Sequence, residues 1–395
     1  MKNWQKLIFP YALVFYEAVL YLANDMYLPS LPAIARELNT SQDMVQYTLS
    51  LWFLGTCSLQ IFLAPLSDYF GRRSVLVWGA LLFLASTILC TVSESISMLL
   101  FARFWQGAVV GTVAVAGYAA IHEIYESRRT VQLLSLMASI TILAPAVGPI
   151  IGAWIIDFYS WRVIFAMLAG MGALGMIGLY VSMPAGETRR HISMGNVVQD
   201  YKDMMKNLPF LKYALSFCFI ISSFFIWIVE GPFIVIDAMK QDPTVFGWMQ
   251  FFVFGCFGIG AQIASRLIKK RSVAFLIRFS LIIILLGVIS FVGMSMATQN
   301  LYFLTAGIML ISLGASMTFG SLNRLAIESS AVSMVHRTAI FSMLVSAVGT
   351  FACFVMTFFN NRSFLNLSLV MAMFILVGLA LIWPGSKKIR FIDDL

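Results

Sequence analysis

The sequence predicts an all-α polytopic membrane protein with twelve transmembrane helices in two six-helix bundles. Three observations carry that expectation. Apolar runs of about 20 residues, enough to cross a bilayer core of about 30 Å, recur six times in each half of the chain. Charge is scarce, at 11% of 395 residues against 60% hydrophobic, whereas soluble domains carry roughly 25%. The basic residues gather in alternate short connections. A mean hydropathy of +0.89 fits the same class. Disorder, collagen-like repeats and a secreted disulfide scaffold are excluded by 27 Gly, 11 Pro and only 5 Cys.

The first six spans are expected at roughly 8–28, 44–64, 75–93, 98–120, 131–156 and 163–183. The second six are expected at roughly 210–236, 245–267, 273–297, 301–326, 337–359 and 364–384. The domains are therefore 1–183, a first bundle; 184–209, a polar central loop; and 210–395, a second bundle with a short tail. The first span carries Glu17, Asn24 and Asp25 and is followed by YLPSLP, so it is expected to be a retained helix rather than a cleaved signal. The runs are continuous, which sets barrel strands aside.

With the N-terminus inside, most of the 26 basic residues fall in or next to cytoplasmic segments, among them Lys2, Lys6, Arg128, Arg189, Lys269, Arg324 and Lys387. Arg36, Arg162, Lys240 and Arg362 fall on the other side. That bias predicts both termini in the cytoplasm. The net charge of +8 is thus an insertion signal spread over short loops, not a nucleic-acid footprint. SDYFGRRSV after the second span is echoed by SRLIKKRSV after the eighth, which favours duplicated bundles with a central site.

Cys57, Cys90, Cys218, Cys256 and Cys353 lie in apolar runs and read as small hydrophobes, and His122, His191 and His336 are dispersed, so no metal site is expected. No GKS/T loop is present, so neither ATP hydrolysis nor a cofactor is expected.

An ionisable group inside a span is costly and needs a paired, wet or functional setting. Glu17, Asp25, Arg103 and Glu230 stand out. Glu17 and Asp25 are separated by about 12 Å and about 80° on a helix, so both can face one cavity at different depths. Asp25 and Arg103 lie near the same end of their spans. Glu17 and Asp25 are expected to exchange protons, with Arg103 modulating them; a static Asp25–Arg103 ion pair is the alternative. Glu230, next to Gly231 and Pro232, either lines a kinked half of the seventh span and binds cationic substrates or lies at the outer interface. Asp237 and Asp242 are expected to be external loop charges.

Tyr21, Asn24 and Met137 are candidates for an adaptable substrate pocket. Arg103, Gly107 and Gly111 repeat at intervals of four, and Ala144, Gly148 and Gly152 form a second small-residue stripe beside Pro145 and Pro149. The prolines imply a bend, either fixed or moving. Asp68, Gly71, Arg72 and Arg73 form either a cytoplasmic gate or a plain insertion turn.

FYEAVLYLANDMYLP, APLSDYFGRRSV, LLFARFWQG, GYAAIHEIYE and LAPAVGPIIG, in this order and spacing, resemble the drug/proton antiporters of the major facilitator superfamily over essentially the whole length. The resemblance implies a twelve-helix, proton-driven efflux pump working by alternating access. It implies proton coupling at Glu17, Asp25 and Arg103, and cavity roles for Tyr21, Asn24 and Met137. Asp68 and Arg72 match the gating motif; Pro145, Gly148, Pro149 and Gly152 match the antiporter motif. Ala64 stands where that gating motif usually has Gly, and Glu230 where a neutral residue is usual. The expected partners are protons, an amphipathic small molecule and membrane lipids, with no nucleic acid and a monomeric state, in a bacterial inner membrane. A dedicated exporter of a metabolite or siderophore, a proton-coupled nutrient symporter and a non-transporting scaffold or receptor remain open.

Overall fold

The computed structural model describes residues 3–183, 194–298, 300–330, 332, 334–359 and 361–382, and the chain divides into unit 1, Met1–Asp200, and unit 2, Tyr201–Leu395. Unit 1 contains α1 (Asn3–Asp25), α2 (Leu31–Glu37), α3 (Gln42–Phe70), α4 (Arg72–Thr91), α5 (Ile96–Ala108), α6 (Tyr118–Ile124), α7 (Ser127–Ile156) and α8 (Trp161–Ser182). After α9 (Met194–Lys206), unit 2 contains α10 (Leu208–Pro232), α11 (Pro243–Leu267), α12 (Val273–Ala297), α13 (Leu301–Glu328), α14 (Met334–Phe358) and α15 (Phe364–Ile382). Eleven helical stretches among the described residues are long and apolar enough to cross a membrane. The 29-residue α3 lies over the second expected span beside them.

Polar caps cut the apolar sequence into these helices. Ser41, Ser95 and Ser272 accept the backbone N–H of Met44, Met98 and Phe275 at 3.2, 3.3 and 3.2 Å. Asn207, Asp242 and Asn300 do the same for Phe210, Thr244 and Tyr302 at 3.0, 3.1 and 3.0 Å. Each cap satisfies a donor that the first helical turn leaves open. Between α3 and α4 a single residue makes the turn: Gly71 has φ 86°, a conformation a side chain disfavours.

Three spans depart from the simple helices expected. The first stops at Asp25 and continues through a 3₁₀ turn, Leu28–Ser30, into α2. Pro29 and Pro32 explain the break, because each starts a new helical segment and lacks the donor that would continue the old one. The fourth span is not one helix: α5 ends at Ala108 and a π-helical turn, Val113–Gly117, precedes α6. The run VVGTVAVAG there combines β-branched residues with glycines, all poor helix formers. The seventh span passes from α10 into a π-helical segment, Phe233–Ala238, after Pro232. In the expected central loop, Met194–Lys206 forms α9, in line with apolar residues recurring at helical spacing there, and Met204 is buried. Residues 184–193 and 383–395, with Arg189, Arg190, His191, Lys387, Lys388 and Arg390, lie outside the described residues.

In unit 1, α3 packs on α5 and α1 packs on α7 and α8. The α3–α5 crossing is close enough that a Cβ on Gly107 would strike the backbone carbonyl of Trp52, and Thr56 Oγ1 donates to the Gly107 carbonyl at 3.0 Å. In unit 2, α10 is the axis: it packs against α13, α14 and α15, and Ser216 Oγ donates to the Gly378 carbonyl at 2.8 Å. Close backbone approach through small residues replaces the hydrophobic drive that lipid does not supply.

Replacing Gly107 by Ala forces backbone against side chain and should destabilise unit 1 by about 1–3 kcal/mol. Gly170→Ala, where a Cβ meets nothing within 4 Å, should leave stability unchanged. Thermal unfolding of the two purified variants checks this; equal midpoints would refute the crossing.

Candidate functional site

The polar centre of unit 1 is built around the far end of α1. Arg103, on α5, is fully buried. Its Nη1 donates to the carbonyl of Ala23 at 3.0 Å and to the Gln106 side chain, and its Nη2 donates to Asn24 Oδ1 at 3.3 Å. The guanidinium also lies 4.3 Å from the centre of the Tyr27 ring. Gln106 passes the link on by donating to Thr87 Oγ1 on α4 at 2.8 Å, and the Tyr27 hydroxyl is 3.0 Å from Thr48 Oγ1 on α3.

Asp25 is buried beside this cation, yet the two form no ion pair within 4.0 Å among the described residues. Asn24 stands between them. Its amide nitrogen donates to Asp25 Oδ1 at 3.2 Å while its oxygen accepts from Arg103. Amide polarity suits both contacts, since the oxygen faces the cation and the nitrogen faces the carboxylate. On the other side α7 closes over Asp25: a Cβ on Gly148 would lie 3.0 Å from Asp25 Cβ, and one on Gly152 would strike the Met26 carbonyl. Pro145 and Pro149 are buried within the same α7, which runs unbroken from Ser127 to Ile156.

Glu17 lies two turns earlier on α1 and is 3% exposed. The Tyr118 hydroxyl donates to its Oε1 at 2.6 Å, and its Oε2 has no hydrogen-bond partner. Tyr21, half-buried, lies between the two acids in sequence and within electrostatic reach of both. Met137 is fully buried on α7. Unit 1 therefore brings Asn24, Asp25, Arg103 and Gly148 together, and gives Glu17 a separate partner.

At the α3–α4 junction, Arg72 reaches across to Glu123 on α6, with Nε and Nη2 at 2.9 and 2.8 Å from Oε1. Arg73 donates to the carbonyl of Tyr180 on α8 at 2.7 Å and covers its ring. The backbone of Asp68 belongs to α3; its side chain lies outside the described residues. In unit 2, Glu230 is buried and lies 3.3 Å from Arg362, in the connection between α14 and α15. Asp237 ends in a 3.5 Å pair with Lys240, and Asp242 caps α11. A separate cavity of about 690 Å³ in unit 2 is lined by Met239, Gln241, Trp248, Met249 and Tyr302 among others and includes none of the residues singled out in the sequence.

Sequence reading missed Tyr118, Gln106, Glu123 and Arg362 as partners. Gln106 was accessible, one helical turn from Arg103. Tyr118 was not, because the π turn before it changes the angular count along the span. Glu123 and Arg362 lie 51 and 132 residues from the groups they meet.

The Major Facilitator Superfamily model matches residues 13–339. The multidrug transporter MdfA of Yersinia pestis bv. Antiqua (strain Angola) is 30% identical over 383 residues, covering 95% of this chain and 94% of its own. The chloramphenicol resistance protein CraA of Acinetobacter baumannii is 32% identical over 347 residues, 87% of this chain and 84% of its own. Among solved structures, a bacterial homolog of the human lysosomal transporter Spinster, inward-facing and unoccupied, matches with a TM-score of 0.77 over 98% of both chains at 12% identity, a likeness of fold alone. With an all-α membrane fold, apolar helices in two units and relatives of this kind, the chain belongs to the Major Facilitator Superfamily and is a membrane-embedded secondary transporter, kin to the superfamily's multidrug-type members.

Proposed function

We propose that this transporter is a twelve-helix drug/proton antiporter that exports amphipathic small molecules by alternating access, in a bacterial inner membrane with both termini cytoplasmic. One observation carries the proposal: two enclosed carboxyl groups, Glu17 and Asp25, on the same helix, neither ion-paired among the described residues. An acid enclosed in a span is costly to keep charged, so its protonation state is tied to which side of the membrane it meets. Glu17 keeps one oxygen free of hydrogen bonds, and Asp25 faces Arg103 only through Asn24.

In the cycle we infer, a substrate entering from the cytoplasm displaces a proton, and protonation from the other side resets the protein; reciprocal binding supplies the coupling. Arg103 biases Asp25 electrostatically, while Tyr21, Asn24 and Met137 contribute to the substrate surface. Asp68, Gly71, Arg72 and Arg73 act as the cytoplasmic gate, for which the Arg72–Glu123 pair supplies a closing contact. Pro145, Gly148, Pro149 and Gly152 hold α7 against the acid. Kinship with MdfA and CraA supports a drug-like substrate, and chloramphenicol is a natural first probe.

The test is flux in proteoliposomes under an imposed pH gradient, with chloramphenicol as the neutral probe and tetraphenylphosphonium as the cationic one. The wild type should expel both against their gradients as protons enter. Glu17→Gln and Asp25→Asn should each lower gradient-driven flux by at least about tenfold. Full proton-driven transport by both single variants and by the double variant would defeat the proposal, and flux in the direction of proton entry would make the protein a symporter.

Removing the bridging amide gives a separate outcome. Asn24→Ala takes away the side-chain amide that meets both Arg103 and Asp25, so the pH dependence of transport should shift. A pH profile superimposable on the wild type would show that Arg103 does not act on Asp25 through Asn24.

A further inference from the structure

Three unusual features of unit 2 meet at one point. Glu230 on α10 is 0% exposed, two residues before the helix gives way to the π-helical segment Phe233–Ala238. Arg362, 132 residues further on, places Nη1 at 3.3 and 3.5 Å from the two oxygens of that carboxylate. The same guanidinium lies 4.7 Å from the ring centre of Phe233, the first residue of the π segment. Arg362 also holds φ at 57°, in the left-handed region that its Cβ disfavours.

Each feature is expensive alone. A buried carboxylate needs a counter-charge, a strained backbone persists only where its surroundings dictate it, and π-helical turns are rare and cluster at functional positions. Arg362 joins them, because its Nη1 reaches both oxygens of the buried carboxylate while its guanidinium carbon lies 4.7 Å from the ring centre that opens the π segment. The π register is visible in Met239 N donating to the Ile234 carbonyl at 2.9 Å, and just past the segment Gln241 N donates to the Val235 carbonyl, six residues back, at 3.0 Å. Met239 and Gln241 then enter the wall of the 690 Å³ cavity. A single ion pair therefore connects the α14–α15 connection to the register of the seventh span's far end and to a cavity wall beyond it.

We propose that the Glu230–Arg362 pair is a latch that holds the Phe233–Ala238 π segment in register, so that both are positioning residues for transport and neither contacts the transported molecule. The role differs from cationic-substrate binding by Glu230. It requires only that the chain is a transporter, and it stands or falls independently of proton coupling at Glu17 and Asp25.

Hydrogen–deuterium exchange on the purified full chain tests the latch without a substrate. Arg362→Gln and Glu230→Gln should each raise amide exchange over both 233–241 and 361–363 by roughly tenfold, the double variant should add nothing further, and Arg362→Lys, which keeps the counter-charge but not the planar guanidinium over Phe233, should restore part of the protection. In the flux assay, Arg362→Gln should lower the maximal rate with KM unchanged for neutral and cationic probes alike. Unchanged exchange over 233–241 in Arg362→Gln, or additive effects in the double variant, would overturn the latch. So would a rise in KM confined to the cationic probe, which would make Glu230 a substrate group. Should Glu230→Gln not fold, Arg362→Gln and Arg362→Lys decide alone, since the Arg362 side chain is 23% exposed and lies in the connection outside α10.

Discussion

A guanidinium sealed from water must find its partners within the protein, and in unit 1 that requirement falls on Arg103, whose two terminal nitrogens are bonded while its Nε has no hydrogen-bond partner. Among the described residues no carboxylate pairs with it within 4.0 Å. Its partners are the Ala23 carbonyl, the Asn24 amide oxygen, the Gln106 side chain and the face of Tyr27. Because those groups sit on α1, on α5 and just past the end of α1, satisfying one charge fixes how the far end of α1 meets α5. Gln106 carries the constraint to α4 through Thr87, and Tyr27 carries it to α3 through Thr48.

The two acids of α1 inherit different surroundings from that arrangement. Asp25 is held one amide away from the cation and pressed by the glycine face of α7, so its charge is felt by Arg103 without being cancelled in a contact pair. A contact pair in the interior would resist being broken on each cycle. Glu17, further along, meets a phenol instead of a cation and leaves one oxygen bare. Two carboxyls with unlike neighbours on one helix can answer to different events, one to the ionic state of the α1–α5 junction and the other to the π-interrupted fourth span that carries Tyr118.

Much of this was legible in the sequence for simple reasons. A run of about 20 apolar residues bounded by Ser, Asn or Asp caps has few alternatives to a spanning helix, and the cost of intramembrane charge singles out Glu17, Asp25, Arg103 and Glu230 without any structure. Matching depths from span ends correctly set Asp25 near Arg103. Counting failed where the backbone leaves α-geometry. The π turn at Val113–Gly117 changes the phase on which Tyr118 would have been found, and Pro29 and Pro32 turn the expected first span into α1, a 3₁₀ turn and α2. Spacing also says nothing about how an amide is oriented, so Asn24 appeared as a cavity residue and not as the bridge between a cation and an acid. Arg362 lay in a connection expected to hold only a surface charge, and its partnership with Glu230 is a tertiary fact.

Irregular backbone is thus where this transporter departs most from a plain bundle, at the π turns of the fourth and seventh spans, and each lies next to one of its buried acids. The central claim, that Glu17 and Asp25 hold protons a substrate displaces, is tested most directly by proton release from purified protein in weakly buffered detergent solution with a pH-sensitive dye. Adding tetraphenylphosphonium should release protons from the wild type, and the Glu17→Gln, Asp25→Asn double variant should release none. Equal release from the double variant, while it still binds the probe, would contradict the account.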